Sequence, residues 1–374
     1  MSRLPTIYID RTLTPGFEVL AAGRAELLGP DASALPKAHG VIASGVVWDG
    51  PLMDRAPELR VISRSGIGFD AVDLEAATAR GVVVCNAPES PTVSTAEHTM
   101  ALLLHVAKSL SANQRRLRGH IGDYYVDNEG IELAGRTLGV VGYGPIGKRV
   151  VKAARGLEME VVAHDPYLDP HNEDVELVSF DELLERSDVV SAHCPLTDET
   201  RELFGREAFA RMRRGSLFIN AARGGVVDQD ALVEALDSGH IAGAGLDVTV
   251  PEPLPTDHRL QGRDNVMITP HIASATDRGR RRMFSAALDN ALTALNGDRV
   301  ATCVNPEVYN APAYPGSPTY TGSPTYPGSP TYPGSPTYPG SNAQAGVCGT
   351  ARSESNAQAG VCGTARSESR EQQI

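Results

Sequence analysis

"TLGVVGYGPIGKRVVKAA", residues 137–154, decides how the rest of the chain is read. A valine-rich apolar run ends on Gly142, a glycine turn follows, and Lys148, Val150 and Ala153 open a helical pattern. The turn Gly142-Tyr143-Gly144-Pro145-Ile146-Gly147 fits G-x-G-x-x-G, a weak signal alone that gains weight between a strand and a helix. Gly142 permits the tight bend, Gly144 lets a pyrophosphate approach the backbone, and Gly147 lets helix pack closely on strand. The helix N-terminus then offers free N–H groups to the phosphates. The next apolar run, "EVVAHD" (160–165), ends in Asp165, 18 residues past Gly147, where a carboxylate accepts from ribose hydroxyls and repels a 2'-phosphate. No arginine adjoins Asp165, so the reading favours NAD over NADP.

Outward from this turn, short runs dominated by β-branched residues alternate with helical patterns. The expected strands are 6–10, 40–44, 59–64 and 82–86 in a first series. A second series holds 138–142, 160–165, 189–194, 216–222, 243–248 and 266–271. Such alternation predicts parallel α/β sheets covered on both faces, hence two α/β domains with a cleft between them. A helix over 95–117, capped near Thr95 and Glu97, is expected to begin the second domain. Another over 277–296 crosses back, and "RVATCVN" (299–305) supplies a last pairing segment. The expected domains are therefore 1–98 with 292–310, and 99–291. A break comes near residue 311: "GSPTYP" repeats from Gly316 and then "NAQAGVCGTARSES" twice, with too little to bury against its ordering entropy. Residues 311–374 read as a disordered tail, dispensable for chemistry.

The chain has 374 residues and a formal net charge of -12, which argues against nucleic-acid and anionic-membrane partners. No run reaches about 18 uninterrupted apolar residues, so neither a membrane span nor a signal peptide is expected. Cys85, Cys194 and Cys303 lie far apart without C-x-x-C spacing, which suggests reduced thiols in a cytoplasmic protein and no metal site.

A dinucleotide turn names a holder and not a reaction. The reacting groups are sought past the carboxyl ends of strands, where Arg223 ("INAARGGVVD"), Glu252 ("LDVTVPEPLP") and His271 ("MITPHIAS") stand. His271 suits general acid/base transfer of a hydroxyl proton while hydride passes to a nicotinamide. Glu252 suits the other ring nitrogen, fixing the tautomer and favouring the charged imidazolium. Arg223 offers a planar fork to a carboxylate or carbonyl oxygen. Singly, each also reads as an ordinary loop residue; their order and placement together point to a 2-hydroxy or 2-oxo carboxylate as substrate.

With "SRSGIGFDAVDLEAATARGVVVCNAP", "SPTVSTAEHTMALLL", "LGVVGYGPIGKRV", "SDVVSAHCPLTDETR", "FINAARGGVVDQDAL", "AGAGLDVTVPEPLP" and "VMITPHIASAT", the chain resembles the D-2-hydroxyacid dehydrogenases over most of residues 40–300. The resemblance implies a flavodoxin-like substrate domain and an NAD-binding Rossmann domain flanking the cleft. It implies Arg223, Glu252 and His271 as the catalytic trio, and a carboxylate-binding loop at Ser65, Gly66, Ile67 and Gly68. It also implies cofactor contacts from Ile146, Cys194, Pro195, Thr200, Ala221 and Asp247, with Asp247 by the nicotinamide carboxamide. A homodimer through the NAD domain is implied as well.

Within that family the pattern most resembles the phosphoglycerate dehydrogenases, where an arginine at the Arg64 position helps bind the substrate phosphate. An arginine before the carboxylate loop suits a dianionic substrate. Departures are Pro91 where those enzymes usually carry Asn, Tyr124 and Tyr125 where the family usually has Trp, and a repetitive tail in place of a regulatory domain. Hydroxypyruvate, glyoxylate or another small 2-oxo acid is the rival substrate. The rival from another class is an NAD-sensing transcriptional corepressor built on the same fold.

Overall fold

The computed structural model describes residues 4–169 and 173–315. Two parallel sheets form. The first holds β1 (Thr6–Ile9), β2 (Glu26–Leu28), β3 (Gly40–Ala43), β4 (Val61–Arg64) and β5 (Val83–Cys85), in the order β2-β1-β3-β4-β5. That is the flavodoxin-like order. Short helices α1 (Glu18–Ala21), α2 (Gly50–Met53) and α3 (Leu74–Ala79) accompany it.

The second sheet holds β6 (Thr137–Val141), β7 (Glu160–His164), β8 (Glu176–Leu177), β9 (Val189–Ala192), β10 (Ser216–Asn220), β11 (Ile241–Leu246) and β12 (Val266–Ile268). Its order, β12-β11-β10-β9-β6-β7-β8, reverses direction between β6 and β9, the switch point where open α/β sheets bind ligands. Its helices are α4 (Thr92–Ala107), α5 (Leu110–Gly119), α6 (Pro145–Arg155), α7 (Phe180–Arg186), α8 (Arg206–Arg211) and α9 (Gln229–Asp237). Helix α10 (Asp277–Leu295) returns to the first sheet and packs on β3 and β4.

All ten expected strands are present, and their central residues are buried on both sides because apolar clusters lie over each face of each sheet. Two strands were not expected: β2 and β8 are edge strands of three and two residues, too short to show a period.

The long helix differs from expectation. It starts at Thr92, with Pro91 at the cap and no capping side chain, and breaks where Ser109 turns left-handed at φ 52°. Helix α4 lies close on β11 because that strand is bare where they meet. A Cβ on Gly243 would stand 2.6 Å from Val106, and one on Gly245 would stand 2.9 Å from Leu102.

The chain crosses between the lobes before α4 and again before α10. Because Leu288, Ala291 and Leu292 of α10 pack into the core of the first lobe, that second crossing comes near residue 276 and not at 291. The crossings are fastened together by Ser94 and Thr276 (Oγ to Oγ1, 2.8 Å) and by the Arg282 Nε–H donating to Ser90 O at 3.2 Å.

Segment 299–305 does pair: Val304 N donates to Val84 O, and Cys303 bridges Cys85 in antiparallel sense. The folded part also runs past residue 310. Tyr314 is buried, edge-on to Tyr309, and Ala313 abuts Gly81. The repeats from residue 316 onward lie outside the described residues. Among the described residues no helix is long and apolar enough to cross a membrane, and no cluster of His, Cys, Asp or Glu is arranged for a metal ion.

Candidate active site

The glycine turn sits at the switch point of the second sheet. Gly142 has φ +95°, and a Cβ there would press within 2.6 Å of Cys194 N, in the loop after β9. A Cβ on Gly147 would collide with Gly142 O, which is why helix α6 can start so near the strand. Gly144 faces open space, with nothing within 4 Å of where its Cβ would be. Helix α6 begins at Pro145 without a capping side chain, so its first N–H groups are available to an anion.

At the end of β7, Asp165 accepts from Tyr143 N (3.0 Å) and Tyr167 N (3.1 Å), which fixes its carboxylate beside the turn. An open cradle at Gly144, an uncapped helix start and an anchored acid together fit a dinucleotide with an unphosphorylated ribose.

Cys194 is buried, and burial pushes its thiol up to about 11, so it lines this crevice as an uncharged group. The next loop is shaped by Thr200, whose hydroxyl donates to Pro195 O at 2.6 Å and accepts from Thr197 N at 2.8 Å. Ala221 is buried just past β10.

Arg223, Glu252 and His271 follow β10, β11 and β12, three neighbours in the sheet, so the topology gathers them along one edge. His271 Nδ1 lies 2.8 Å from Glu252 Oε2, and both side chains are partly exposed to the cleft. Glu252 Oε1 accepts from Thr249 N at 3.3 Å. Gln229 clamps the same loop: Val250 N donates to its Oε1 at 2.8 Å while its Nε2 donates to Val250 O.

Arg223 belongs to a turn built by Asn220, which accepts from Ala222 N and donates to Arg223 O. Its side chain reaches the other lobe, donating from Nε to Asp70 Oδ1 at 3.1 Å. It lies over Gly68, where a Cβ would collide with Nη2. Burial alone would raise the Asp70 carboxyl, but the charge and hydrogen bond of Arg223 hold it below the usual range. No hydrogen bond links Arg223 to the Glu252–His271 pair among the described residues.

The loop 65–68 is held by its carbonyls. Gly66 O accepts from Ala87 N, Ile67 O from the Asn86 side chain, and Gly68 O from Arg64 Nε at 3.0 Å. In a trans peptide the N–H points opposite the carbonyl, so the amides of Ile67, Gly68 and Phe69 face the other way, as an anion nest requires. Ser65 is tied to Ser44, Oγ to Oγ 2.9 Å.

Arg64 itself is buried, with Nη1 lacking a hydrogen-bond partner. Burial lowers its proton affinity; Asp10 and Asp70 oppose that, and Arg223 adds to it.

Asp247 is almost fully buried. Its Oδ1 accepts from Thr269 Oγ1 (2.6 Å) and Ile272 N (2.9 Å), and its Oδ2 accepts from Ala273 N (2.8 Å). Burial would raise this carboxyl; hydrogen bonds from His98, Thr269 and the two amides more than offset it, holding it below the usual range. Asp247 thus anchors the turn that carries His271.

Asp70, Asn86 and Gln229 had no signal in the sequence, because each acts on a backbone or side chain brought to it by the fold.

Residues 100–273 match the family model described as D-isomer specific 2-hydroxyacid dehydrogenase, NAD binding domain. D-3-phosphoglycerate dehydrogenase of Mycobacterium leprae is 40% identical over 285 residues, 74% of this chain and 54% of that protein. The chain thus spans about half the length of the first curated relatives it matches. Glyoxylate reductase of Thermofilum pendens is 40% identical over 269 residues, 70% of this chain and 79% of that protein. The crystal structure of the TT0316 protein from Thermus thermophilus aligns with a TM-score of 0.74 at 40% identity, covering 80% of this chain and 99% of that one.

Proposed function

Since the chain belongs to the D-isomer specific 2-hydroxyacid dehydrogenase family, we propose that it interconverts a D-2-hydroxy acid and the matching 2-oxo acid with NAD. The observation that carries this reading is the His271–Glu252 pair, 2.8 Å apart, at the strand edge that also supplies Arg223.

Gly142, Gly144 and Gly147, the start of α6 and Asp165 are the residues that hold NAD, with Ile146, Cys194, Pro195, Thr200, Ala221 and Asp247 lining or shaping its crevice. When bound, NAD accepts or returns the hydride of the substrate C2. Glu252 takes the Nδ1 side of His271, which leaves Nε2 to exchange the proton of the C2 hydroxyl. The amides behind Gly66, Ile67 and Gly68 receive the substrate carboxylate, and Arg223 directs its fork to the carboxylate and the C2 oxygen.

Buried Arg64, which holds Gly68 O through Nε and leaves Nη1 unpartnered, favours a second acidic group on the substrate, and 3-phosphoglycerate is the first reading. Hydroxypyruvate or glyoxylate is the second, favoured by the charges of Asp10 and Asp70 already acting on Arg64.

A homodimer through the NAD domain is part of the proposal. Leu117, Ile121, Tyr125 and Val126 are exposed in and just after α5, more apolar surface than a solvated arm needs. A cytoplasmic setting is supported by the free Cys85, Cys194 and Cys303.

The test is NADH oxidation with 3-phosphohydroxypyruvate, hydroxypyruvate and glyoxylate, and NAD reduction with 3-phosphoglycerate. Phosphate recognition requires Arg64→Ala to impair the phosphorylated substrate far more than glyoxylate. NADH binding without turnover on any of them would leave the corepressor-like binding protein as the reading.

A further inference from the structure

Beneath the turn that carries His271 runs a chain of polar groups with no part in the proton transfer itself. His98, on α4, places its ring Nε2 2.9 Å from Thr269 Oγ1 and 3.4 Å from Asp247 Oδ1. Thr269 Oγ1 lies 2.6 Å from the same Asp247 oxygen.

The proton count fixes the direction of these bonds. A hydroxyl has one proton and an ionised carboxylate has none, so Thr269 donates to Asp247. Its oxygen must then accept from His98, whose Nε2 carries a hydrogen. Asp247 in turn holds three consecutive amides of the turn: its own carbonyl takes His271 N at 2.7 Å, and its carboxylate takes Ile272 N and Ala273 N.

This hold is needed because His271 stands at φ 53°, in the left-handed region that a residue with a side chain rarely adopts unaided. His98 comes from the helix that starts at the crossing between the lobes, so the chain of bonds ties the turn to that helix.

We propose that His98 is a positioning residue of this site: its ring N–H, acting through Thr269 and Asp247, fixes the turn so that the His271 imidazole meets both Glu252 and the substrate hydroxyl. The proposal rests on the dehydrogenase reading for its effect on turnover. Its effect on the turn does not depend on that reading.

Two substitutions separate this role from mere filling of space. His98→Gln presents an amide N–H close to where the ring Nε2–H stood, and His98→Leu keeps apolar volume while removing the donor. Full-length wild type and both variants are compared by steady-state kinetics with NADH and the best 2-oxo acid of the panel. Hydrogen exchange of the Ile272 and Ala273 amides is followed in parallel.

In His98→Leu, kcat falls about 10-fold while KM and NADH affinity stay within about twofold, as a misplaced reacting group dictates. In the same variant the two amides exchange about 10-fold faster, and His98→Gln restores both measures to within about threefold of wild type. Unchanged kcat in His98→Leu, unchanged exchange, or equal damage in both variants overturns the proposal. If wild type reduced no 2-oxo acid yet His98→Leu still loosened the amides, the dehydrogenase reading would fall and the hold of His98 on the turn would stand.

Discussion

Arg223 of the NAD lobe and Asp70 of the substrate lobe are joined across the cleft, Nε to Oδ1 at 3.1 Å. The arginine proposed to meet the substrate is therefore aimed by a carboxylate from the opposite lobe, and it passes over Gly68 because that residue has no side chain. Gly68→Ala drives a methyl group into Nη2, the movable end of a flexible side chain, so the fold accommodates it and the aim of Arg223 does not survive. The expected outcome is a fall of about 10–100-fold in kcat/KM with stability changed by less than about 1 kcal/mol. Kinetics and a thermal melt on the same preparation check it; wild-type kcat/KM would refute the dependence on Gly68.

The glycine turn separates binding from folding. Gly144 borders open space with φ -76°, so Gly144→Ala leaves the fold alone and puts a methyl group where a pyrophosphate approaches. NADH affinity is expected to drop more than about 10-fold, or about 1.4 kcal/mol, at unchanged melting temperature. Gly142→Ala meets left-handed strain and the backbone of His193 and Cys194 together, and is expected to cost at least about 2 kcal/mol of stability. Binding calorimetry and melts of both variants decide; matching stability losses would end the distinction.

His271→Gln removes the proposed proton carrier and keeps a side chain of similar reach. A fall in kcat of about 10²–10⁴ is expected, with NADH binding within about threefold of wild type. Collapse of NADH affinity would instead assign His271 to the cofactor.

Asp247 links stability to pH. Its carboxyl is held below the usual range in the fold, so its contribution is fully present above the unfolded value, near 4, and is lost as pH falls through the folded value. Asp247→Asn offers one acceptor where Ile272 N and Ala273 N need two, a loss of about 1–3 kcal/mol at neutral pH. Below about pH 4 the gap between wild type and variant should narrow as wild type loses its advantage. A gap constant from pH 7 to pH 3 would contradict the assignment.

The sheets were legible in the sequence because buried parallel strands leave uninterrupted β-branched runs, and the glycine turn because its spacing answers to backbone geometry. Arg223, Glu252 and His271 were legible for the same reason: each stands just past such a run. Edge strands β2 and β8 carry no such run. The break at Ser109 leaves no mark in the sequence, since neither glycine nor proline stands there. Asp70 and His98 were illegible for a different reason. Each acquires its meaning from a partner 153 or 171 residues away, and no local pattern records that pairing.

The two lobe crossings are stitched side by side through Ser94 and Thr276, and through Arg282 and Ser90. Two strands of chain fastened at one place act as a single axle. The same fastening fixes where the 65–68 loop and Asp70 stand relative to Arg223, which Asp70 holds at 3.1 Å. The geometry between Arg223 and the 65–68 loop is thus set by the seam between the two crossings as much as by the loops themselves.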